Sequence, residues 1–554
     1  MDWKTIALKK RQEQTEALRP YLAPEDKLPS EEVRKDNEKF IKFLDQSDLL
    51  TDEEKAITNI PDVVSLLAKI KSKDLTCDQV IRAYIKRATL AHQLTNCLTE
   101  INFDHALKRA KELDQHIESG RELLPLHGLP ISVKDQFDIQ GLDTTMGYVA
   151  KVGEPKTHNA ALVDMLEKLG AIVFVKTNLP LSIMTSESDN YLWGRTNNPY
   201  NKDLTAGGST GGESALLASK GSILGWGTDL TGSVRIPQAM CGGYSLRPTH
   251  HRFPYRRVSV TSDGQEHIPS VIGPMSRTFS TLLFMTRTVI EENPWKYDHL
   301  CVPMEWNQSA FDIASKSKLR IGVQYFNGIV RPHPPVERLL NEAVKKLEAA
   351  GHEIIRFETG LDEKAYNLLE SYYYVDGAQE LRRELQRLGE PMTDQVSEMV
   401  RDAKPRSVLQ YWEMNLEKRK IQQTFFDKWN ATKDVTSNGE PIDVILNPAL
   451  ATSAVPHNQT HDITYTELYS ALNYPCAVFP VGKVDKAIDV KDESYVPVND
   501  RDERVWKKYD PELMHGLPIN LQLAARSYNE EKLLGSLLNV LNSLDINPSK
   551  EFGA

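Results

Sequence analysis

Apolar and polar positions alternate in helical and strand-like patterns from Leu129 onward. Apolar residues at 160–169 follow a helical period that ends at Gly170, and the unbroken apolar run at 172–175 predicts a buried strand. A second helix is predicted at 336–350. Further strands are predicted at 319–323, 354–355, 444–446, 477–479 and 519–523. This alternation predicts an α/β fold with a large, largely parallel or mixed β-sheet.

Three other stretches depart from that alternation. Residues 1–45 are rich in charge and helix formers, and Ser30 before two glutamates is typical of a helix start. Residues 360–430 are also predicted to be helical, and they are highly charged. The polar stretch 483–509 shows no sustained period and is predicted to be a surface excursion. At 554 residues the chain exceeds a single core of about 250–300 residues, so length alone favours two or more domains.

Composition and charge narrow the function classes. A net charge of −10 and a pI near 5.9 argue against a general nucleic-acid binder. Mean hydropathy is −0.44 and no run of about 18 apolar residues exists, so no membrane insertion is predicted. Five scattered cysteines without close spacing favour reduced thiols in a cytoplasmic protein. The His250-His251 pair lacks the spacing of a zinc helix and is predicted to lie at the surface, so no metal is expected.

Two glycine-rich segments and one lysine carry the candidate chemistry. Ser209 lies in the segment GGSTGGE, Ser233 lies in GTDLTGSVRIP, and Lys134 ends the apolar, strand-like segment LPISVK. A serine hydroxyl is a poor nucleophile until a base takes its proton, and a lysine can act as that base only when burial keeps it neutral. Flanking glycines let backbone N–H groups approach a ligand closely, so residues 230–233 could form an oxyanion hole.

A second interpretation of the first serine has to be weighed. The segment GGSTG around Ser209 also fits the nucleophile elbow of Ser-His-Asp α/β-hydrolases. That elbow needs a hydrophobic strand directly before the serine, whereas residues 198–203 are typical of a loop. The elbow also leaves the segment around Ser233 unexplained. The same glycines do not form a phosphate-binding loop, because Glu213 stands where such a loop places lysine.

Together, the lysine and the two serine segments resemble the amidase signature family, whose hydrolases use a Ser-Ser-Lys triad. The segments around 177–180, 193–200 and 241–249 are similar to family motifs, and residues 509–523 resemble the end of fungal acetamidase-type members. The resemblance spans most of the chain. It implies a large mixed sheet covered by helices on both faces, as a single domain at 61–545 after an N-terminal helical extension at 1–60.

The resemblance also implies a role for each matched residue, with no cofactor. Ser233 is expected to be the nucleophile, Ser209 a bridge on a cis peptide bond, and Lys134 the base. The expected oxyanion and substrate-binding residues are Leu230, Thr231, Gly232, Ser233 and Ile183, and the residues expected to order the nucleophile loop are Asp229 and Arg235. The implied reaction converts an amide and water to a carboxylate and ammonia or an amine.

Several alternatives remain open at this stage. The chain could be an amidotransferase A-type subunit that feeds ammonia to an aminoacyl-tRNA, or a non-catalytic relative. A homodimer is compatible with the family. The 360–430 segment is predicted to cap the substrate pocket without the apolar face that docks fatty acid amide hydrolases on membranes, and Tyr372, Tyr373 and Tyr374 are predicted mainly to pack. Thr231 replaces the usual Gly or Ala, and it could either narrow the acyl pocket or brace the loop.

Overall fold

One mixed β-sheet organises the computed structural model, which describes residues 1–459 and 462–551. Within those residues the sheet has 11 strands, in the order β1-β3-β2-β4-β6-β5-β10-β11-β9-β7-β8. In chain order they are β1 (Leu98–Ile101), β2 (Pro130–Lys134), β3 (Ile172–Thr177), β4 (Leu224–Asp229), β5 (Tyr244–Arg247), β6 (Val271–Ser276), β7 (Arg320–Val323), β8 (Glu353–Arg356), β9 (Val444–Pro448), β10 (Cys476–Lys483) and β11 (Pro518–Ala524).

The strand pairing combines parallel and antiparallel ladders. Strand β2 pairs in parallel with β3 and β4, and β7 pairs in parallel with β8 and β9. The remaining neighbours are antiparallel. Every residue of β2, β3 and β4 is buried. Because successive strand side chains point to opposite faces, both faces of this part of the sheet are covered. The predicted α/β fold with a large mixed sheet is confirmed, as are the strands predicted from residue 172 onward.

Helices cover the sheet and extend beyond it. They are α1 (Trp3–Leu18), α2 (Glu31–Arg34), α3 (Lys39–Gln46), α4 (Asp52–Thr58), α5 (Val63–Lys71), α6 (Cys77–Thr95), α7 (Phe103–Glu118), α8 (Ala161–Lys168), α9 (Gly211–Ala218), α10 (Arg235–Cys241), α11 (Phe279–Glu291), α12 (Gln308–Lys316), α13 (Pro334–Ala349), α14 (Asp362–Tyr373), α15 (Gln379–Gln386), α16 (Asp394–Met399), α17 (Val408–Ala431), α18 (Thr464–Leu472), α19 (Asp500–Lys507), α20 (Pro511–Met514) and α21 (Glu530–Ser543).

The first helices lie against the body of the fold. The Ser30 side chain caps α2 by accepting a hydrogen bond from the backbone N–H of Val33, as the sequence predicts. Helix α1 is attached through Lys10, whose Nζ lies 2.7 Å from a Glu100 oxygen and 2.8 Å from an Asp143 oxygen. These carboxylates are nearly buried, so the contact is stronger than an ion pair at an open surface.

The charged segment from α14 to α17 is helical, but one expectation about it is wrong. Helix α17 exposes five large apolar side chains, Val408, Leu409, Trp412, Leu416 and Phe426. Their spacing places them on one face, so the segment does have an apolar face. The polar residues between them mask this face in a simple count of charge. No helix within residues 1–459 and 462–551 is long and apolar enough to cross a membrane.

The polar stretch 483–509 is more ordered than its sequence suggests. Helix α19 lies within it, and Asn499 caps that helix by accepting hydrogen bonds from two backbone N–H groups. Val505 and Tyr509 are buried, while Val490 and Val496 are exposed. A helix of eight residues places too few apolar side chains on one face to show a period, which explains why the helix was not predicted.

Candidate active site

Adjacent parallel strands bring the predicted site residues to one edge of the sheet. Lys134 is the last residue of β2, and Asp229 is the last residue of the neighbouring strand β4. Because β2 and β4 run in parallel, their carboxyl ends meet at the same edge. The loop with Ser233 follows β4 directly, and the loop with Ser209 leads into α9. The fold therefore gathers three segments that are separate in the sequence.

Lys134 is buried and directly contacts the first serine. Its Nζ lies 2.7 Å from Ser209 Oγ and 2.9 Å from Thr228 Oγ1. The Thr228 hydroxyl in turn donates to Gln136 Oε1 over 2.6 Å. Burial lowers the pKa of Lys134 to about 7, and the nearby charge of Asp229 opposes this shift only in part. A substantial fraction of this amine is therefore neutral near neutral pH.

Tight backbone packing fixes the Ser209 loop. The peptide bond between Gly208 and Ser209 is cis, as expected. A Cβ atom at Gly208 would lie 2.8 Å from the backbone carbon of Ser186 and 2.9 Å from the backbone nitrogen of Glu187, so only glycine fits there. The Ser188 hydroxyl accepts a hydrogen bond from the N–H of Gly211 over 3.0 Å. The glycines therefore permit a close approach of two chain segments.

Ser233 and Ser209 belong to the same pocket. Both serines line this pocket, and the two loops are joined by a hydrogen bond from the Thr210 N–H to the Ser233 carbonyl over 3.2 Å. The hydrogen bonds of residues 1–459 and 462–551 do not include one between the two serine side chains. Ser209 is buried, whereas Ser233 is partly exposed to the pocket. The Ser233 hydroxyl is thus the more accessible of the two.

The backbone before Ser233 presents free N–H donors. Across the described parts of the chain, the N–H groups of residues 230–233 have no hydrogen-bond acceptor. Gly232 has a φ of +147°, and a Cβ atom there would lie 2.6 Å from both Ile236 Cδ1 and Thr466 Oγ1. Helix α18 supports the loop, since the Thr466 hydroxyl donates to the Thr231 carbonyl over 2.5 Å. Such free donors can stabilise an oxyanion.

Asp229 and Arg235 form a buried ion pair rather than a surface one. Arg235 Nε and Nη2 donate to the two Asp229 oxygens over 3.0 and 3.1 Å, and Arg247 Nε lies 3.5 Å from the same carboxylate. Burial alone would raise the pKa of Asp229, but the two guanidinium groups hold it below its ordinary value. The Asp229 carboxylate also accepts from the Val234 N–H over 3.3 Å. The ion pair therefore ties both ends of the Ser233 loop together.

The pocket has about 580 Å³ of empty space including its open mouth, and it is lined by apolar, aromatic and hydroxyl side chains. Ile183, Leu230 and Thr231, three of the expected substrate-binding residues, are among its lining side chains. Tyr372 and Tyr373 also line it, although the sequence analysis assigned these tyrosines mainly to packing. Tyrosines at adjacent positions of α14 reach the pocket because the end of this helix is directed toward the Ser233 loop.

Sequence reasoning missed several polar residues of this site. Thr228 contacts Lys134, and its hydroxyl donates to Gln136. Both residues lie within two positions of a predicted site residue, so closeness in sequence was the available signal. Tyr373 and Glu467 lie 94 residues apart and hydrogen-bond to one another beside Thr231, for which no local signal exists. Within the described residues, no group of three or more His, Cys, Asp or Glu side chains is arranged to hold a metal ion.

Comparisons with known proteins agree with this geometry. The family model described as Amidase matches residues 79–534. Amidase 1 of Gibberella moniliformis is 43% identical, over 86% of this chain and 91% of its own length. Acetamidase of Emericella nidulans is 36% identical over 96% of each chain. The solved structure of a fatty acid amide hydrolase superposes with a TM-score of 0.91 at 32% identity, covering 98% of this chain and 95% of that one. The chain therefore belongs to the amidase signature family and is an amidase, an enzyme that hydrolyses amide C–N bonds.

Proposed function

We propose that this amidase forms an acyl-enzyme on Ser233 and that Ser209 and Lys134 complete its catalytic triad. The observation that carries this proposal is the 2.7 Å contact between a fully buried Lys134 amine and Ser209 Oγ, beside the accessible Ser233. A lysine without burial would stay charged at neutral pH and could not accept a proton. The two serine loops share a hydrogen bond, which keeps their hydroxyl groups in one pocket.

The proposed chemistry proceeds in two stages. Ser233 Oγ attacks the amide carbonyl carbon while its proton passes through Ser209 to the neutral amine of Lys134. The tetrahedral intermediate collapses, the C–N bond breaks, and the proton returns through Ser209 to the leaving nitrogen. Water then attacks the acyl-enzyme ester by the same proton route, and the carboxylate and free Ser233 are released. The free N–H groups of residues 230–233 stabilise the oxyanion in both stages.

Asp229 and Arg235 are proposed to hold the Ser233 loop rather than to react. Arg235 also donates to the carbonyl of Thr466 and to the hydroxyl of Ser470 on α18, over 2.9 and 3.0 Å. A buried carboxylate that loses its charged partner is strongly destabilising, so the pair fixes the loop geometry only while both members are present. Ile183 is proposed to contact the acyl group, since it lines the pocket.

The substrate is proposed to be a carboxylic acid amide with a short to medium acyl group. Relatives named acetamidase support a short acyl group, while the fatty acid amide hydrolase neighbour carries a name that denotes a longer one. Ammonia release from acetamide, benzamide, indoleacetamide and oleamide tests this. Activity that is highest on oleamide would contradict the proposed acyl length. An absence of ammonia from every amide would contradict the function itself.

Domain organisation, location and assembly are proposed with it. The helices of residues 1–60 form an extension on a single domain at 61–545, in which 360–430 caps the pocket through Tyr372 and Tyr373. All five cysteines are free and buried, which suits a reducing, cytoplasmic location. We propose that the enzyme acts without nucleic acid and forms a homodimer. Light scattering of the purified protein gives its mass directly, and a monomer at working concentrations would contradict the dimer.

A further inference from the structure

Three hydrogen-bonded side chains connect the pocket with a buried glutamate on α18. Tyr373 Oη lies 2.9 Å from Thr231 Oγ1 and 2.6 Å from Glu467 Oε1. Thr231 and Tyr373 line the pocket, whereas Glu467 is fully buried. None of these side chains belongs to the proposed triad. Their contacts nevertheless end at Thr231, whose backbone N–H is one of the proposed oxyanion donors.

The direction of the hydrogen bonds among these side chains depends on Glu467. Tyr373 has one phenol hydrogen, so it donates one of its two bonds and accepts the other. An ionised Glu467 would accept from Tyr373, which would then accept from Thr231. A protonated Glu467 instead carries its hydrogen on Oε1, because Oε2 has no partner within the described residues to donate to. It then donates to Tyr373, which donates to Thr231 Oγ1. The two directions place the Thr231 hydrogen on opposite sides of its oxygen.

The surroundings of Glu467 favour the protonated form. Its second oxygen, Oε2, has no hydrogen-bond partner in the described parts of the chain, which is costly for a buried carboxylate. Burial raises the pKa of Glu467 well above its ordinary value. The carboxyl groups of Glu370 and Asp462 act in the same direction, while the Tyr373 hydrogen bond and Arg501 oppose it. Arg501 offers only partial compensation, because it lies 3.5 Å from an Asp462 oxygen and also hydrogen-bonds to Tyr366.

The protonated direction leaves one donor unused. Thr231 Oγ1 then accepts from Tyr373, and its own hydrogen has no acceptor among residues 1–459 and 462–551. The loop cannot easily turn this group away, because the Thr231 carbonyl is held by Thr466. A hydroxyl donor fixed in this way at a pocket wall is satisfied by a ligand or by water.

We propose that Thr231 is a specificity-determining residue that donates its hydroxyl hydrogen to the acyl part of the substrate. The preferred substrates are amides with a hydroxyl or keto oxygen on the carbon next to the scissile carbonyl, since the Thr231 backbone N–H is itself one of the proposed oxyanion donors and its side chain therefore lies close to that carbonyl. This inference rests on the proposed function, because that function places the scissile carbonyl against the N–H groups of residues 230–233.

A matched pair of substrates isolates this hydrogen bond. Lactamide and isobutyramide differ only in a hydroxyl or a methyl group on the carbon next to the carbonyl. The measured quantity is the kcat/KM for lactamide divided by that for isobutyramide. Thr231→Val keeps the side-chain shape and removes the donor, and Tyr373→Phe removes the middle of the three hydrogen-bonding groups. We expect Thr231→Val to lower this ratio about fivefold to tenfold, the effect of one net hydrogen bond. Tyr373→Phe should lower it by less, because Thr231 keeps its hydroxyl hydrogen but loses the contact that orients it.

Two further variants serve as controls. Glu467→Gln keeps a donor for Tyr373, so the ratio should stay within about twofold of the wild-type value. Tyr372→Phe changes a neighbouring pocket tyrosine whose hydroxyl bonds to Asn415 over 2.8 Å, and it should affect both substrates alike.

The outcomes separate this inference from the proposed function. Ratios that are unchanged in Thr231→Val and Tyr373→Phe, with both amides still hydrolysed, overturn the specificity role alone. A fall in Glu467→Gln equal to that in Tyr373→Phe also overturns it, because a neutral amide donor at position 467 would then fail to replace the protonated carboxyl group. A wild-type enzyme that releases ammonia neither from these two amides nor from any of acetamide, benzamide, indoleacetamide and oleamide contradicts the proposed function instead.

Discussion

Two regions of the active site, the triad region and the tyrosine wall, are built from different kinds of sequence. The triad region combines Lys134, Ser209 and Ser233, whose segments follow one another within about a fifth of the chain, and the two serine segments are rich in glycine. The tyrosine wall consists of Tyr373 from α14, with the buried Glu467 of α18 behind it, and both lie 142 residues or more beyond Thr231. In the triad region the glycines fix the backbone geometry of the serine loops, whereas the tyrosine wall contributes a long side chain to the pocket lining. Bond cleavage and substrate choice should therefore respond to different substitutions.

Removing the proposed nucleophile should abolish catalysis by the triad region. Ser233→Ala should lower kcat/KM for a primary amide by about 10⁴-fold or more, as loss of a nucleophile does in other serine hydrolases. Circular dichroism and thermal unfolding should stay close to wild type, because Ser233 is partly exposed and no side-chain hydrogen bond is lost. Ammonia release near the wild-type rate would contradict the role of Ser233.

Removing the proposed base should affect amides more than esters. Lys134→Ala should lower amide hydrolysis by about 10²–10⁴-fold, because an amine leaving group needs the proton that Ser209 relays from Lys134. A matched ester has a better leaving group and should lose less activity. The measurement is kcat/KM for an amide and an ester with the same acyl group. Equal losses on the two substrates would contradict the relay.

A side chain at Gly232 should disturb the oxyanion donors while leaving the triad in place. In Gly232→Ala the added Cβ would meet Ile236 and Thr466, so the loop must shift. Loss of one oxyanion donor costs about 10²–10³-fold in kcat, and we expect a decrease of that size with little change in KM. Gly264→Ala offers a matched control, since its Cβ would meet no atom within 4 Å and its φ of +86° is likewise unusual.

The pH profile tests the state of the amine. Because burial lowers the pKa of Lys134 to about 7, kcat/KM should rise as pH increases through that region and the amine loses its proton. Below this pH the activity should fall about tenfold per pH unit. A profile that is flat between pH 5.5 and 8.5, for an amide whose hydrolysis is limited by chemistry, would show that Lys134 is not the titrating base.

The smallest predicted effect concerns the volume of Thr231. Under the steric hypothesis, Thr231→Gly should improve kcat/KM for amides with bulky acyl groups relative to acetamide, by about tenfold. A preference that is unchanged across the series would rule out the steric role. Thr231 would then act only through its hydroxyl, which already bonds to Tyr373.

The sequence predicted the triad region far better than the tyrosine wall, and the reasons are physical. Lys134 ends an apolar strand, and the serines lie in glycine-rich loops where the backbone itself makes the site. Such features are local and readable. The cis bond before Ser209 and the position of Ile183 followed from family resemblance rather than from any pattern. By contrast, Tyr373 and Glu467 meet only because α14 and α18 pack together, so no local period could reveal their contact.

Two errors have the same origin. The apolar face of α17 was missed because the segment 360–430 as a whole is highly charged, although the helical spacing of the apolar residues was present in the sequence. The helix at 500–507 was missed because only Val505 and a neighbouring buried aspartate anchor it. In both regions the outcome depends on which side of a helix faces the protein, and this is decided by tertiary packing rather than by local sequence.

The most direct test of the account is to identify the serine that is acylated. A fluorophosphonate probe reacts covalently with an activated serine, and peptide mass spectrometry locates the adduct. We predict a single adduct on the peptide that carries Ser233, lost in Ser233→Ala and formed more slowly in Lys134→Ala. An adduct on Ser209, or labelling that persists unchanged in Ser233→Ala, would contradict the proposed mechanism.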